Sequence, residues 1–340
     1  MLPALLVACS PPSPPPEARV EPPPASEPST PPPAALAWVT EAGGAPAARW
    51  SRDGAPDEPL PGLGDRPAFP ADADPRRTHA LVVTTADGPT GHRETLALVA
   101  LDGGPPLELA AAQMIRNPRW TPDGARVVFE SDAHSYRDLY RVARSGGAPE
   151  RLTTTEHGCF EPALSFDGQW LAYGASTDGN AEIWVARADG SAARRLTVEP
   201  TDDTAPAFLP DGRLSWIATR EGRPRVWVAD LSGANARPLR AGSGVDLAVV
   251  WSPQGVAAVT TAPGPSDVDL ELVRADGSAA GRLGGPGVDE HPSFSPDGSA
   301  LAFSSARGGT TAVWIARADG SGARQASAGP GPDWLPRWLR

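Results

Sequence analysis

Four aspartates recur along the second half of the chain at nearly constant intervals: Asp203, Asp246, Asp289 and Asp333, spaced 43, 43 and 44 residues. Carboxylates that return at one place in a repeated unit meet in space wherever the units form a ring. Gathered at one mouth of such a ring, they make a cation site or a dock for a basic segment of a partner. The competing assignment is local, because an Asp ahead of a strand accepts backbone hydrogen bonds and caps its own loop. Residues that repeat with the unit usually serve the unit, so capping is the more economical reading and the binding ring is the sharper one.

Other chemistry-bearing residues are sparse. His157 and His291 each stand just ahead of an apolar, proline-bearing stretch and are expected to face the channel of the ring. Two imidazoles without a matched third ligand fall short of a metal centre, so an ordinary polar role in a loop is preferred and the metal stays unknown. No cofactor motif is present, and the serines lie mostly in repeated turn and strand text, which leaves no nucleophile for a Ser-His-Asp arrangement. Two cysteines, Cys9 and Cys159, suit neither a disulfide framework nor a zinc site, and Cys159 is read as a buried, inert thiol. The net charge is −11 and the 30 basic residues, all arginine, are scattered. Neutralising a phosphate backbone requires a clustered basic face, so nucleic acid is excluded as a partner.

The elements that must position these residues are visible as a repeat. RWTPDGARVVFES from Arg119, ALSFDGQWLAYGA from Ala163, AFLPDGRLSWIAT from Ala207 and SFSPDGSALAFSS from Ser293 each read as apolar strand, Asp-Gly turn, strand. The turn glycines Gly124, Gly168, Gly212, Gly255 and Gly298 are spaced 44, 44, 43 and 43 residues. A third strand and a second turn follow, as in IWVARADG, VWVADLSG and VWIARADG. The second turns fall at Gly54, Gly103, Gly146, Gly190, Gly233, Gly277 and Gly320, a series of seven. Short fourth strands complete each unit, as in ERLT and RRLT. Four short strands in about 44 residues, separated by glycine turns, are the signature of a β-propeller blade. Trp184, Trp227, Trp314 and Tyr140 recur six residues before the second turn and are read as blade packing.

The series starts out of phase. LAWVT (Leu36 to Thr40) opens a unit that has no first strand, and the chain stops on LPRWLR (Leu335 to Arg340), a first strand with nothing after it. It repeats the Pro-Arg-Trp of Pro118 to Trp120. The expected fold is therefore all-β, a single propeller of seven four-stranded blades over residues 34–340, closed by pairing the two chain ends. The alternative is six blades, with residues 34–64 a mere extension. Trp334 and Trp338 belong to the closing strand and are assigned to packing.

Ahead of the repeat lie two further segments. MLPALLVAC places an apolar run before Leu6-Val7-Ala8-Cys9, which resembles the lipobox of bacterial lipoproteins and implies a lipid-bearing Cys9. Residues 10–33 are proline-rich and polar, unable to form a ladder or a helix interior, and read as a polyproline II tether.

The SPDG turn, the LAF or LAY strand and the WVARADG strand together resemble the TolB-like propeller repeat, which also occurs in relatives of prolyl oligopeptidase. The resemblance spans residues 34–340 and implies the fold, whereas function varies across it. TolB itself has six blades and an extra α/β domain, and the peptidases carry a hydrolase domain with a G-x-S-x-G sequence that is absent here. The expected function is a non-enzymatic, protein-binding lipoprotein of the cell envelope: periplasmic, lipid-anchored with the outer membrane favoured, and monomeric. The alternative is a single-domain propeller enzyme similar to the metal-dependent oligogalacturonate lyases, which use channel histidines. That resemblance is what gives His157 and His291 their interest.

Overall fold

The computed structural model describes residues 35–339 apart from 53, 54, 65, 90, 135, 243, 265, 266 and 286. Cys9, the proline-rich tether and the turn at Gly54 lie outside the described residues. No helix occurs among the described residues, and the strands form seven four-stranded antiparallel sheets. Each sheet is one blade, written here from inner to outer strand. Blade two runs Ala68–Ala73, His79–Gly88, Gly91–Ala100 and Leu107–Ala112; blade three runs Ile115–Trp120, Arg126–His134, Tyr136–Ala143 and Glu150–Arg151. The inner strands of blades four to seven are Cys159–Leu164, Asp203–Phe208, Val245–Trp251 and Asp289–Phe294. Each packs against the inner strand of the next blade around the ring.

Blade one is built from both ends of the repeat. Its inner strand is Asp333–Trp338, paired antiparallel with Ala35–Thr40, which continues to Ala47–Arg52 and Glu58–Pro59. Leu36 faces Trp338 and Thr40 faces Asp333. Beyond the ladder the Leu339 amide donates to the Ala35 carbonyl at 2.7 Å and the Glu41 amide to Pro332 at 3.1 Å. The propeller thus has seven blades, and residues 35–59 are part of the ring.

The sequence forms these strands for a simple reason. The second strand of a blade is covered on both faces by neighbouring blades, so it reads as an unbroken apolar run; all six residues of Ala35–Thr40 are buried. Fourth strands lie at the rim, are only two residues long in five of the seven blades, and are mostly polar. The core is split accordingly into seven clusters, one in each seam between adjacent blades. Leu36, Trp38 and Trp338 of blade one pack on Ala302 and Val313 of blade seven, which makes the closing seam like the other six. Each fully buried aromatic or large aliphatic side chain contributes about 1.5–3 kcal/mol.

The turns explain the glycine series. At Gly277 φ is +92°, and a Cβ there would lie 2.2 Å from the Leu239 carbonyl oxygen of the preceding blade. Only glycine fits both constraints. Blade two replaces its first Asp-Gly turn with Asp74 to Thr78, where the Asp74 carboxylate accepts the amides of Arg76, Thr78 and His79 and a two-point bond from Arg144 at 2.6 and 2.8 Å. Burial alone would raise Asp74, but Arg144 and these amides outweigh it and hold the carboxyl well below its ordinary range.

Candidate functional site

Every inner strand carries a bulge part-way along its length. In five blades the residue before the strand proline has positive φ: Asn117 (+48°), Glu161 (+55°), Ala205 (+50°), His291 (+54°) and Leu335 (+54°). A left-handed non-glycine residue costs on the order of 1 kcal/mol or more, and neighbouring blades hold several of these in place. Glu130 of blade three accepts the Glu161 amide at 2.6 Å, Glu161 accepts the Ala205 amide at 2.7 Å, and Ser304 accepts the Leu335 amide at 3.2 Å. Burial, with Glu130 repulsion added, pushes the Glu161 carboxyl up. The bulges shape the channel wall at the end where inner strands begin.

The bulge also accounts for a difference from the expected boundaries. Asp203, Asp289 and Asp333 are the first residues of their inner strands and Asp246 is the second, so the strands start three residues before the prolines and the aspartates are not in loops. All four side chains are buried. Asp203 takes a two-point bond from Arg220 at 2.8 and 3.0 Å. Asp246 accepts the Val226 amide at 2.9 Å and Arg240 at 2.8 Å, and Asp289 accepts Arg307 at 2.7 Å. Asp333 differs: its Oδ1 has no hydrogen-bond partner among the described residues. Burial pushes the Asp203 carboxyl up, against the pull of Arg220.

A companion set was not anticipated from the sequence. Glu94, Asp138, Glu182 and Asp269 stand on third strands at the same end of the ring and pair with Arg116, Arg151, Arg195 and Arg282. Asp138 and Glu182 also accept the hydroxyls of Thr153 and Thr197, which in turn accept the Leu139 and Ile183 amides. The end of the propeller is therefore a belt of carboxylates, most of them neutralised by guanidinium groups that tie strand ends together. The 44-residue spacing of Glu94, Asp138 and Glu182 is the signal that would have revealed it.

The two histidines are not brought together as a ligand pair. His157 is exposed in the connection before Cys159. His291 lies on the inner strand of blade seven, its Nδ1 3.4 Å from the Ser304 hydroxyl and 3.7 Å from Glu290, with its ring 6.0 Å from that of Trp334. Burial pushes its imidazole below the ordinary value. Among the described residues no group of three His, Cys, Asp or Glu is arranged to hold a metal ion. Cys159 is fully buried, and burial pushes its thiol up, away from reactivity. Trp334 is half-buried in the channel wall between His291 and Phe69, whereas Trp338 packs in the seam as expected.

A cavity of about 500 Å³ opens in the wall where blades one, two and three meet. It is lined by apolar side chains together with His92, Glu94, Asn117, Arg116, Arg119 and Arg337.

The family pattern described as the TolB beta propeller domain matches residues 155–338, more than half of the chain. The chain belongs to the TolB beta propeller family. Among curated relatives, the Tol-Pal system protein TolB of Anaeromyxobacter dehalogenans is 30% identical over 119 residues, 34% of this chain and 27% of that protein. The matched stretch spans a third or less of the length of the first curated relatives. TolB from Acinetobacter baumannii superposes with a TM-score of 0.59 at 19% identity, covering 90% of this chain and 66% of that one. An oligogalacturonate lyase in complex with manganese gives 0.63 at 12% identity, covering 86% and 84%. These structural likenesses concern the propeller fold. As the repeat count predicts, this TolB-family propeller has seven blades.

Proposed function

We propose that the protein is an exported, lipid-anchored propeller that serves as a non-enzymatic, protein-binding module of the cell envelope. It is tethered through Cys9 and the proline-rich segment, on the periplasmic side of a membrane, with the outer membrane favoured. The observation that carries the reading is the character of the mouth at which the inner strands begin. Tyr136, Val198 and Leu247 stand 55%, 74% and 49% exposed there, at the start of a third strand, on a fourth-to-first connection and on a channel bulge, whereas Leu107 and Phe166 at the opposite end are 43% and 42% exposed. Exposed aromatic and aliphatic groups beside a rim of charge are the composition of a protein-binding patch. Family membership supports the same role, since a matched relative is a component of the Tol-Pal system. On this reading the carboxylate–arginine belt keeps the mouth in shape, and the four ring aspartates, all buried, serve that framework rather than the contact itself.

Two experiments separate the parts of the proposal. Cys9→Ala should release the protein from membrane fractions; unchanged fractionation refutes the anchor and leaves the binding role standing. Photo-crosslinkers at Tyr136 and Val198 should trap a partner in intact envelopes, whereas one at Phe166, exposed on a first-to-second turn at the opposite end, should not. Equal adducts at Phe166, or none at either end, refute binding through this mouth.

A further inference from the structure

The protein carries a net charge of −11, yet the cavity where blades one, two and three meet is lined by three arginines and a single carboxylate, Glu94. Arg116 is engaged by Glu94. Arg119 and Arg337 are not so engaged: neither forms an ion pair within 4 Å among the described residues, although other arginines at this end are held by a carboxylate. Arg337 donates from Nε to the Ala71 carbonyl at 3.0 Å and from Nη1 to its own neighbour's carbonyl, Pro336, at 2.9 Å. The nearby carboxylate of Asp72 is spent on backbone amides, Trp120 at 2.8 Å and Ala73 at 2.9 Å.

The two guanidinium groups reach the cavity by symmetry of the repeat. Each is the Arg of a Pro-Arg-Trp on an inner strand, Pro118 to Trp120 in blade three and Pro336 to Trp338 in blade one. Blades one and three flank blade two, so the arginines approach from either side of Ala71. Blades four, five and seven have Ala163, Ala207 and Ser293 at the same position after the proline. The convergence is therefore confined to one sector of the channel. Burial, and then repulsion by Arg119, lower the Arg337 guanidinium to about 10, so two like charges are held close together at neutral pH with no countercharge bonded to them. A pair of positive charges kept in a half-buried cavity without a partner is stabilised by a bound anion.

The walls narrow the class of anion. Phe69, Val83, Ile115 and Leu335 supply apolar surface, and Asp72 offsets part of the arginine charge. A monoanion on an apolar body matches both features better than a dianion does. The volume lies within the range of small-molecule pockets. We propose that this cavity binds an organic carboxylate with an apolar body, its carboxylate held by Arg119 and Arg337. The site is independent of any protein partner at the mouth.

The test is calorimetric titration of the full chain at low salt with N-acetyl-leucyl-phenylalanine as the free acid, with its C-terminal amide and with inorganic phosphate as separate arms. The acid should bind, the amide at least about tenfold more weakly, and Arg119→Gln or Arg337→Gln should each weaken the acid by about tenfold or more. Arg119→Gln removes no hydrogen bond described above, and its thermal melt should match the parent, which keeps the loss assignable to the ligand. Equal binding of acid and amide, phosphate binding more tightly than the acid, no binding of the acid at millimolar concentration, or an unaltered Arg119→Gln with an unaltered Arg337→Gln would each overturn the proposal.

Discussion

Deleting residues 335–340 should remove most of the stability of this propeller, whereas deleting the proline-rich residues 11–33 should leave it nearly unchanged. Trp338 and Leu339 are 2% and 1% exposed, and the Trp338 indole N–H donates to the Ser293 carbonyl at 2.7 Å. Emptying the tryptophan site costs about 3–5 kcal/mol, and exposing the leucine site adds about 1.5–3. Losing the indole bond and the Leu339 to Ala35 bond contributes about 1 kcal/mol each. The total, roughly 6–10 kcal/mol, rivals the 5–15 kcal/mol that holds a typical folded protein together. Trp338→Ala alone should lower the melting temperature by about 5–8 °C for a domain of this size. Trp338→Phe keeps a ring in the seam but orphans the Ser293 carbonyl, so it should fall between Trp338→Ala and the parent. Urea unfolding followed by tryptophan fluorescence and far-ultraviolet circular dichroism measures all three. A synthetic peptide spanning Gly331 to Leu339 should restore the truncated form in trans. A truncated protein that unfolds at the parent's urea concentration would refute the closed ring as the source of stability.

Three further outcomes follow from the same geometry. Asp203→Asn should destabilise by about 2–3 kcal/mol in chemical denaturation, because it leaves the half-buried Arg220 with only Glu199, 3.6 Å away, as a carboxylate; an unchanged midpoint would show that the pair is idle. In a histidine-resolved NMR titration His92, raised by its bonds to Asp87 and Glu94, should protonate at higher pH than His291, lowered by burial, and the reverse order would contradict the channel-wall placement. Because His291 is depressed, folding disfavours its protonated form, so its contribution weakens stability as pH falls below the ordinary imidazole value. Gly277→Ala should cost far more than Gly212→Ala: both have positive φ, +92° and +87°, but only at Gly277 would the new Cβ strike a backbone oxygen. Equal melting curves for the two variants would refute the close blade contact.

The blade count was legible because its markers are chemically forced. A turn residue with positive φ is almost always glycine, so Gly103, Gly146, Gly190, Gly233, Gly277 and Gly320 announce themselves in the text. The inner-strand bulge was not legible, because Asn117, Glu161, Ala205, His291 and Leu335 share a backbone conformation and no side-chain type. Only the following proline shows, and it pointed to strand starts three residues late. Asp203, Asp246, Asp289 and Asp333 were found from spacing, but their arginine partners sit at unequal offsets, Arg220 in one blade and Arg225 with Arg240 in another, so pairing became visible only in three dimensions. The repeated Pro-Arg-Trp was read as a sign of ring closure. That its two arginines meet across blade two depends on which blades are neighbours, a fact the closure itself decides.

Blade one joins residues 35–40 to residues 333–338, strands separated by nearly the whole length of the repeat. The other six blades are made of contacts within about 44 residues and form early at low entropic expense. Blade one must wait until both ends have met, so its pairing is the slow, late event in folding, and its interactions are largely absent from the transition state. Stabilising such late contacts slows unfolding more than it speeds folding. The seam between Trp338 and blade seven is then a clasp whose strength sets how long the native ring lasts: the stability lost through changes at Asp333–Trp338 should appear almost entirely as faster unfolding, with the folding rate nearly unmoved.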